Sequence, residues 1–349
     1  MNRIFLLLAL GFALLLTSCN RIVDAITGAT LINTTGKNSY FENAPFQSLE
    51  KGTLKVVGEV ESAGPVSFEK LFKRTIHVKE FIGDVSDTNG FVGAYRYAGY
   101  SLYDILNEFK ADKANKEVFP PAIDLFVVIS NTEGQQVVFS WGEIFLNAIP
   151  HRILIATDVA PILPKRKKVE YPVPSKWRVV AGNDLNAHRF LNNPVSIEVR
   201  SFDGQYAVIR NMEPMFSDFF RIVVNDSVVA KFAETVTNIN VHTYDRVLYG
   251  LGMGFHSAVP AVGVSLREVI KIAYPEILLR HADGLIAVVG IDGYRCVYSV
   301  AEIFNRTDYI EVLLVESDED GGRFRTFAAA DFFADRSVKA ISDVVFFTP

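Results

Sequence analysis

The chain has 349 residues, of which 35 are Lys or Arg and 40 are Asp or Glu, so its formal charge at neutral pH is −5. Hydrophobic residues make up 49% and charged residues 21%, an ordinary composition that excludes a disordered, collagen-like or coiled-coil chain. The acidic balance gives no electrostatic basis for binding nucleic acid. The length exceeds the roughly 250–300 residues at which a single core stops growing, so two domains are expected.

The first nineteen residues differ in pattern from the rest of the chain. Arg3 gives a basic start, and the apolar run Ile4–Leu16 is too short to span a bilayer comfortably as a mature helix. With Leu16–Cys19 at its end, the segment resembles a bacterial lipoprotein signal with its lipobox. The resemblance implies removal of residues 1–18, acylation of Cys19 and lipid anchoring in the cell envelope, outside the cytosol. If the cell is Gram-negative, the outer membrane is the expected location. An uncleaved anchor or a plain secretory signal is the alternative.

Residues 19–50 are rich in Thr, Asn, Gly and Ser and are predicted to form a flexible tether. Within them, Asp24–Thr30 (DAITGAT) resembles the Asp-x-x-Ser/Thr-Gly-Ala-Thr flavinylation motif of proteins that carry FMN in phosphoester linkage. The resemblance implies that a flavin transferase places FMN on Thr30. The other motif residues are Asp24, Thr27, Gly28 and Ala29. The FMN-binding domain that usually encloses this motif is missing, so a bare tether is the alternative.

Two stretches of the chain resemble each other. Residues 126–145 align without a gap on residues 285–304 at an offset of 159, and further alignment continues downstream at an offset of 147. Among the matching positions are the pairs Ser140/Ser299, Glu143/Glu302, Asp184/Asp331 and Arg189/Arg336. Two copies of one domain, residues 51–205 and residues 215–349, explain this pattern most simply.

In chain order, each copy is predicted to combine strands with short helices. Leu54–Val60 alternates as a strand, and Ser67–Phe72 has the Ser cap of a short helix. Ser101–Phe109 places apolar residues at helical spacing. Leu125–Ser140 contains two strand-like runs around a turn, and Ile291–Gly293 forms the corresponding turn in the second copy. The mixture predicts an α+β fold with mainly antiparallel or mixed sheets.

The change of offset locates an insertion of about a dozen residues in the first copy. It falls on Ala160–Ser175, where four prolines surround the basic run Lys165–Lys168. That density of proline predicts a surface loop rather than a regular element. The basic run could contact phosphate or anionic lipid headgroups, and a solvated loop is the alternative.

The layout resembles the molybdopterin-binding domain of the sulfite oxidase superfamily. Gly99–Leu102 matches the Gly-x-x-Leu helix start of that family, and Asp335–Lys339 (DRSVK) matches the run before its last strand. The resemblance implies two tandem molybdopterin-domain-like repeats. It also implies contacts to cofactor phosphate from Arg189, Arg336 and Lys339.

The family binds molybdenum through a cysteine thiolate upstream of that helix, a soft ligand suited to the metal. Neither corresponding region, residues 81–98 or 241–262, contains cysteine, and Cys296 lies in a predicted buried strand. The six histidines show no metal-ligand spacing. Bound molybdopterin is therefore not expected, and no catalytic or metal-ligating residue is predicted.

These patterns together predict a membrane-anchored, extracytosolic electron-transfer lipoprotein that carries covalent FMN on Thr30. Its expected partners are a flavin transferase, membrane lipid through Cys19 and an unidentified redox protein of the membrane. The alternative is a non-catalytic binding lipoprotein whose two degenerate clefts hold a small anionic ligand or a protein partner. A molybdopterin-dependent oxidoreductase is a third, less favoured possibility because fold and activity often dissociate.

Overall fold

The chain divides into two compact units in the computed structural model. The structure describes residues 41–83, 90–164, 169–234, 236–316 and 322–349. The first unit comprises Met1–Ala44 and Ile162–Glu170, and within it residues 41–43 pair antiparallel with residues 162–164. The second unit, Pro45–Pro161 with Tyr171–Pro349, contains the buried cluster and both cavities described below.

The described residues are mostly β, with 46% in strands and 15% in helices. Their strands are β1 (Phe41–Asn43), β2 (Gln47–Ser48), β3 (Lys55–Gly58), β4 (Gly64–Pro65), β5 (Lys73–Phe81), β6 (Phe91–Ser101), β7 (Leu125–Asn131), β8 (Gln136–Ser140), β9 (Ile153–Pro164), β10 (Arg178–Ala181), β11 (Leu191–Asn192), β12 (Pro194–Ser201), β13 (Phe220–Val224), β14 (Ser227–Phe232), β15 (Val241–Gly250), β16 (Gly254–Ser265), β17 (Leu285–Gly290), β18 (Arg295–Ser299), β19 (Val312–Glu316), β20 (Phe324–Ala328) and β21 (Ile341–Phe347). Their helices are α1 (Leu102–Phe109), α2 (Trp141–Phe145), α3 (Leu266–Ala273) and α4 (Val300–Phe304), with 3₁₀ turns at Ala122–Asp124, Ala187–Arg189, Pro275–Arg280 and Ala334–Arg336.

Four small sheets are arranged as the blades of a four-bladed propeller. Their strand orders are β11-β10-β9-β6-β5 with β2 also paired to β9, β4-β3-β12-β7-β8, β14-β13-β21-β17-β18, and β15-β16-β19-β20. Most neighbours are antiparallel, whereas β3 with β12 and β13 with β21 are parallel. The predicted class, α+β with two tandem molybdopterin-domain-like repeats, is therefore wrong.

The fold class was predicted wrongly because one helix was assigned that does not form and two long hairpins were missed. Ser67–Phe72, predicted as a helix from its Ser cap, forms only a turn, in which Leu71 N donates to Phe68 O at 3.2 Å. The long hairpins of β5 with β6 and β15 with β16 were not assigned, and Gly250–Gly254 is the tip of the second hairpin. Strands β15 and β16 carry exposed apolar residues, among them Val247 and Phe255, so their alternation is weak. The helices that do form are one or two turns long.

The proline-rich insertion is also more regular than predicted. Strand β9 continues through Pro161 to Pro164, so the first part of Ala160–Ser175 is not a loop. Proline is tolerated in a strand where its missing N–H is not needed by the ladder. The basic run Lys165–Lys168 lies outside the described residues.

The two eight-residue helices begin in the same way, which confirms the helix predicted over Ser101–Phe109. Ser101 Oγ accepts a hydrogen bond from Asp104 N at 3.0 Å, and Ser265 caps α3 in the same manner. The glycine two residues earlier is required by packing. A Cβ on Gly99 would lie 2.1 Å from a carbonyl oxygen of β9, and one on Gly263 would lie 2.4 Å from a carbonyl oxygen of β19.

The hairpin predicted over Leu125–Ser140 is confirmed, and its first strand is buried on both faces. On one face of β7, Leu125, Val127 and Ile129 belong to the hydrophobic core that is formed by residues between Leu49 and Val199. On the other face, Phe126 and Val128 pack against residues of β17 and β18. Because side chains alternate along a strand, β7 links two cores. Strand β8, which follows β7, ends at Ser140, in the cluster described below.

Candidate functional site

A cluster of buried polar and charged side chains lies where the first half of the second unit, residues 45–161 and 171–205, meets its second half, residues 215–349. It consists of Ser140, Glu143, Asp184 and Arg189 with Ser299, Glu302, Asp331 and Arg336, which we call the central cluster. All eight residues are buried. They are the four pairs that align in the sequence at offsets of 159 and 147 residues.

Within each half, one guanidinium group binds two carboxylates. Arg189 Nε donates to Asp184 Oδ2 at 2.8 Å, and Arg189 Nη1 donates to Glu143 Oε1 at 2.8 Å. The same guanidinium group stacks over the Phe139 ring, 4.3 Å from its centroid. Arg336 makes the equivalent pair of ionic contacts in the second half. These bonds hold each guanidinium plane in a fixed orientation.

The two halves are joined by reciprocal hydrogen bonds from the helix caps. Ser140 begins α2 and Ser299 begins α4, each in a capping box with the Glu three residues later. Ser140 Oγ donates to Glu302 Oε2 at 2.6 Å, while Ser299 Oγ donates to Glu143 Oε1 at 2.8 Å. Each hydroxyl therefore caps its own helix and binds the carboxylate of the other helix.

Burial and the ion pairs set the protonation of this cluster. Burial raises the pKa of Glu143, although Arg189 opposes the shift. For Glu302 burial also acts to raise the pKa, but Arg336 and the Ser140 hydroxyl lower it overall. The neighbouring carboxylates raise the pKa of Arg336 despite its burial, so the guanidinium group stays charged.

This geometry corrects one interpretation of the sequence. Arg189 and Arg336 were expected to contact cofactor phosphate, yet every N–H of each guanidinium group has an acceptor within the protein. Neither side chain has a free face for a ligand, because both are almost fully buried. The two arginines therefore serve the junction between the halves.

Lys339, the third residue expected at a phosphate, does line a cavity. This Lys339 cavity has a volume of about 540 Å³ and is also lined by His256, Arg325, Asp335 and Ser337. The Ser337 hydroxyl is buried and has no hydrogen-bond partner among the described residues. Two basic side chains and an unsatisfied hydroxyl are thus brought to one concave surface.

The Lys339 cavity is built between the tip of the β15–β16 hairpin and the turn that contains Arg336. The Asp335 carboxylate accepts a hydrogen bond from Leu251 N at the hairpin tip, at 2.9 Å. Tyr294 Oη donates to the Asp335 carbonyl oxygen at 2.7 Å. Because Asp335 and Ser337 flank Arg336, the central cluster fixes the position of this wall of the cavity.

A second cavity of about 540 Å³ lies beside the central cluster, and we call it the His281 cavity. Its polar lining comes from both halves, with Asn186 and His188 from the first and Arg267, His281 and Asn305 from the second. The two imidazole rings face each other, with centroids 5.1 Å apart and planes at 34°. Sequence spacing gave no signal for this pair, because the two histidines are far apart in the chain.

His281 is held neutral. Burial lowers its pKa from 6.5 to about 4, and the charges of His188, Arg189 and Arg267 act in the same direction. At neutral pH one ring nitrogen of His281 therefore carries a hydrogen and the other is an acceptor.

The depressed pKa of His281 predicts a pH dependence of stability. The unfolded chain takes up a proton near pH 6.5, whereas the folded chain takes it up only near pH 4, so acidification between these values favours unfolding. We expect a loss on the order of 2 kcal/mol across this window, after allowing for partial solvent screening. His281→Phe should flatten this part of the profile in urea titrations. An unchanged slope in that variant would contradict the assignment.

Several predicted features cannot be placed. Cys19 and the motif residues Asp24, Thr27, Gly28, Ala29 and Thr30 lie outside the described residues.

Cys296 is buried in β18, as predicted, and burial raises its pKa to about 12. Across the described part of the chain, no helix is long and apolar enough to cross a bilayer. The same residues contain no group of three or more His, Cys, Asp or Glu side chains arranged to hold a metal ion.

Comparison with known proteins does not assign the chain to a family. No protein-family model matches it, and no curated protein is recognisably similar to it in sequence.

Proposed function

We propose that the folded part of this chain is a binding protein for a small anionic ligand, held in the Lys339 cavity. The observation that carries the proposal is the convergence of Arg325, Lys339 and the unsatisfied Ser337 hydroxyl on one cavity of about 540 Å³. Guanidinium and ammonium groups favour phosphate and carboxylate oxygens, and a hydroxyl can donate one further hydrogen bond. The volume suits a small organic phosphate or carboxylate.

The acidic residue of the lining is already bound within the protein. Asp335 is occupied by the hairpin tip, through its bond from Leu251 N, and so acts in positioning. Apolar surface from Leu248 and Met253 completes the cavity and favours a ligand with a carbon skeleton attached to its anionic group.

Phosphate titration tests this proposal. Binding of inorganic phosphate, measured by calorimetry against chloride of matched ionic strength, should weaken roughly tenfold or more in the double variant Arg325→Gln/Lys339→Gln, about 1.4 kcal/mol. Arg323→Gln is the matched control, because Arg323 lies near these residues but pairs with Glu316 on the surface. Equal phosphate affinity in the wild type and the double variant would overturn the proposal.

A second candidate function rests on the sequence of the tether. We propose that Thr30 carries FMN in phosphoester linkage and that acylated Cys19 anchors the chain in the cell envelope, outside the cytosol. The support is the complete motif Asp24–Thr30, eleven residues or fewer from the predicted anchor. A mobile flavin on such a tether could carry electrons between membrane partners and a docking surface.

Co-expression with a flavin transferase tests this second candidate. The wild-type chain should gain one covalent FMN, seen by mass spectrometry and by in-gel fluorescence after denaturation. Thr30→Val should abolish the label because it removes the acceptor hydroxyl, whereas Thr34→Val should keep it. Cys19→Ser should move the labelled protein out of the membrane fraction, since stable attachment rests on the acyl chains. An unlabelled wild-type chain beside an active transferase contradicts the electron-carrier proposal.

A further inference from the structure

We propose that the His281 cavity binds an uncharged cyclic amide, the chemistry of a free pyrimidine base such as uracil. The site is separate from the Lys339 cavity, and the inference depends on neither function proposed above.

Unsatisfied polar atoms mark this cavity as a binding site. Asn186 Oδ1, Arg267 Nε and both ring nitrogens of His281 are buried and have no hydrogen-bond partner among the described residues. The orientation of the Asn186 amide is set by its Nδ2, which donates to Gly83 O at 3.3 Å, so the oxygen is the atom left over. Buried polar groups in folded proteins are normally paired, and these four unpaired atoms all belong to residues that line the cavity.

The donors and acceptors among these four unpaired atoms indicate which groups a ligand must present. A neutral His281 offers one donor and one acceptor, Arg267 Nε–H offers a second donor, and Asn186 Oδ1 offers a second acceptor. A complementary ligand presents two acceptors and two donors. The ring of uracil has this inventory, with two carbonyl oxygens and two N–H groups.

The charge balance favours an uncharged ligand over an anion. Arg267 carries the one formal positive charge among the unsatisfied groups, and it lies 3.7 Å from a Glu268 oxygen and 3.6 Å from a Glu311 oxygen. Those carboxylates offset the guanidinium charge, because opposite charges at such distances attract strongly when partly buried. The neutral imidazole of His281 adds no charge at pH 7.

The lining also offers apolar surface to a ring. Leu185, Leu278, Leu279, Ala282 and Phe304 supply apolar surface around the polar atoms. A planar heterocycle with polar edges and apolar faces can bind its edge to the polar atoms while its faces contact these side chains. A volume of about 540 Å³ accommodates such a ring.

Calorimetry with uracil tests the inference on the folded chain. We expect one site per chain with a Kd on the order of 0.1–1 mM, the range that so small a ligand reaches. In 1,3-dimethyluracil both N–H donors are blocked, so its binding should be roughly tenfold weaker or lost. Orotate, which adds a carboxylate to the same ring, should also bind more weakly. No saturable heat with uracil near its solubility limit overturns the inference, as does equal affinity for the dimethyl compound.

Variants of residues that line the His281 cavity test whether uracil binds there. Arg267→Met and His281→Phe should each weaken uracil binding roughly tenfold, because each removes a donor that the ligand needs. His281→Phe removes two unsatisfied nitrogens and should keep the fold, which far-UV circular dichroism checks. Lys271→Met is the matched control, since Lys271 lies on α3 with Arg267 but does not line the cavity. Unchanged uracil affinity in both test variants overturns the assignment. Phosphate binding measured on the same protein keeps this outcome distinct from that of the Lys339 cavity.

Discussion

Arg336→Met should destabilise the protein by about 3–5 kcal/mol, the cost of leaving buried carboxylates without their cation. Arg336 is almost fully buried and binds both Asp331 and Glu302. Methionine has a similar length but offers no hydrogen-bond donor, so the two carboxyl groups must be protonated or the junction must open. Urea unfolding followed by circular dichroism measures the loss.

Two comparisons separate the ionic effect from a general loss of packing. Arg200→Met removes a surface pair with Glu198, in which both side chains are more than a third exposed, and should cost less than about 1 kcal/mol. Adding Glu302→Gln and Asp331→Asn to Arg336→Met should recover part of the stability, because no unpaired charge then remains. An Arg336→Met variant as stable as Arg200→Met would show that the central cluster does not hold the halves together.

Gly142→Ala should cost about 3 kcal/mol, at the upper end of the usual penalty for an added methyl group. A Cβ at this position would lie 2.3 Å from both Cζ and Nε of Arg336. The guanidinium group cannot move aside without lengthening its bonds to Asp331 and Glu302. The added methyl group therefore acts through the central cluster, although helix α2 itself would favour alanine.

The matched control is the aligned position in the other half. Residue 301 aligns with residue 142 and is already alanine, buried in helix α4. Ala301→Gly should cost about 1–2 kcal/mol, from the difference in helix propensity and the loss of one buried methyl group. Thermal unfolding of both variants provides the measurement. If Gly142→Ala is neutral or stabilising, the close approach of Arg336 to α2 is not maintained in solution.

The central cluster shows how far sequence reasoning reaches. The alignment paired Ser140 with Ser299 and Arg189 with Arg336, and the structure places these residues together. Alignment along the chain does not show which residues touch, and the resemblance to the sulfite oxidase superfamily implied that the arginines contact cofactor phosphate. An arginine before a strand is compatible with a phosphate or with buried carboxylates. Only the folded chain brings Glu302 to Ser140, across 162 positions of sequence.

The fold class was missed for a related reason. Short periodic signals predicted α1 and the β7–β8 hairpin correctly, because caps and turns are local. The hairpin of β15 with β16 exposes Val247, Leu251 and Phe255, so it lacks the clean alternation that identifies a half-buried strand. The polar lining of the His281 cavity is likewise assembled from distant segments, and no spacing in the sequence predicts it.

The reciprocal caps of α2 and α4 have a consequence for unfolding. Each half completes hydrogen bonds of the other, through Ser140 with Glu302 and Ser299 with Glu143. A further buried ionic contact, Arg295 Nε to an Asp124 oxygen at 3.2 Å, also crosses the junction. If one half opens, each carboxylate loses its serine donor and Asp124 loses one of its two cations, although the ion pairs within each half remain. We therefore expect the two halves to melt together in a single cooperative transition.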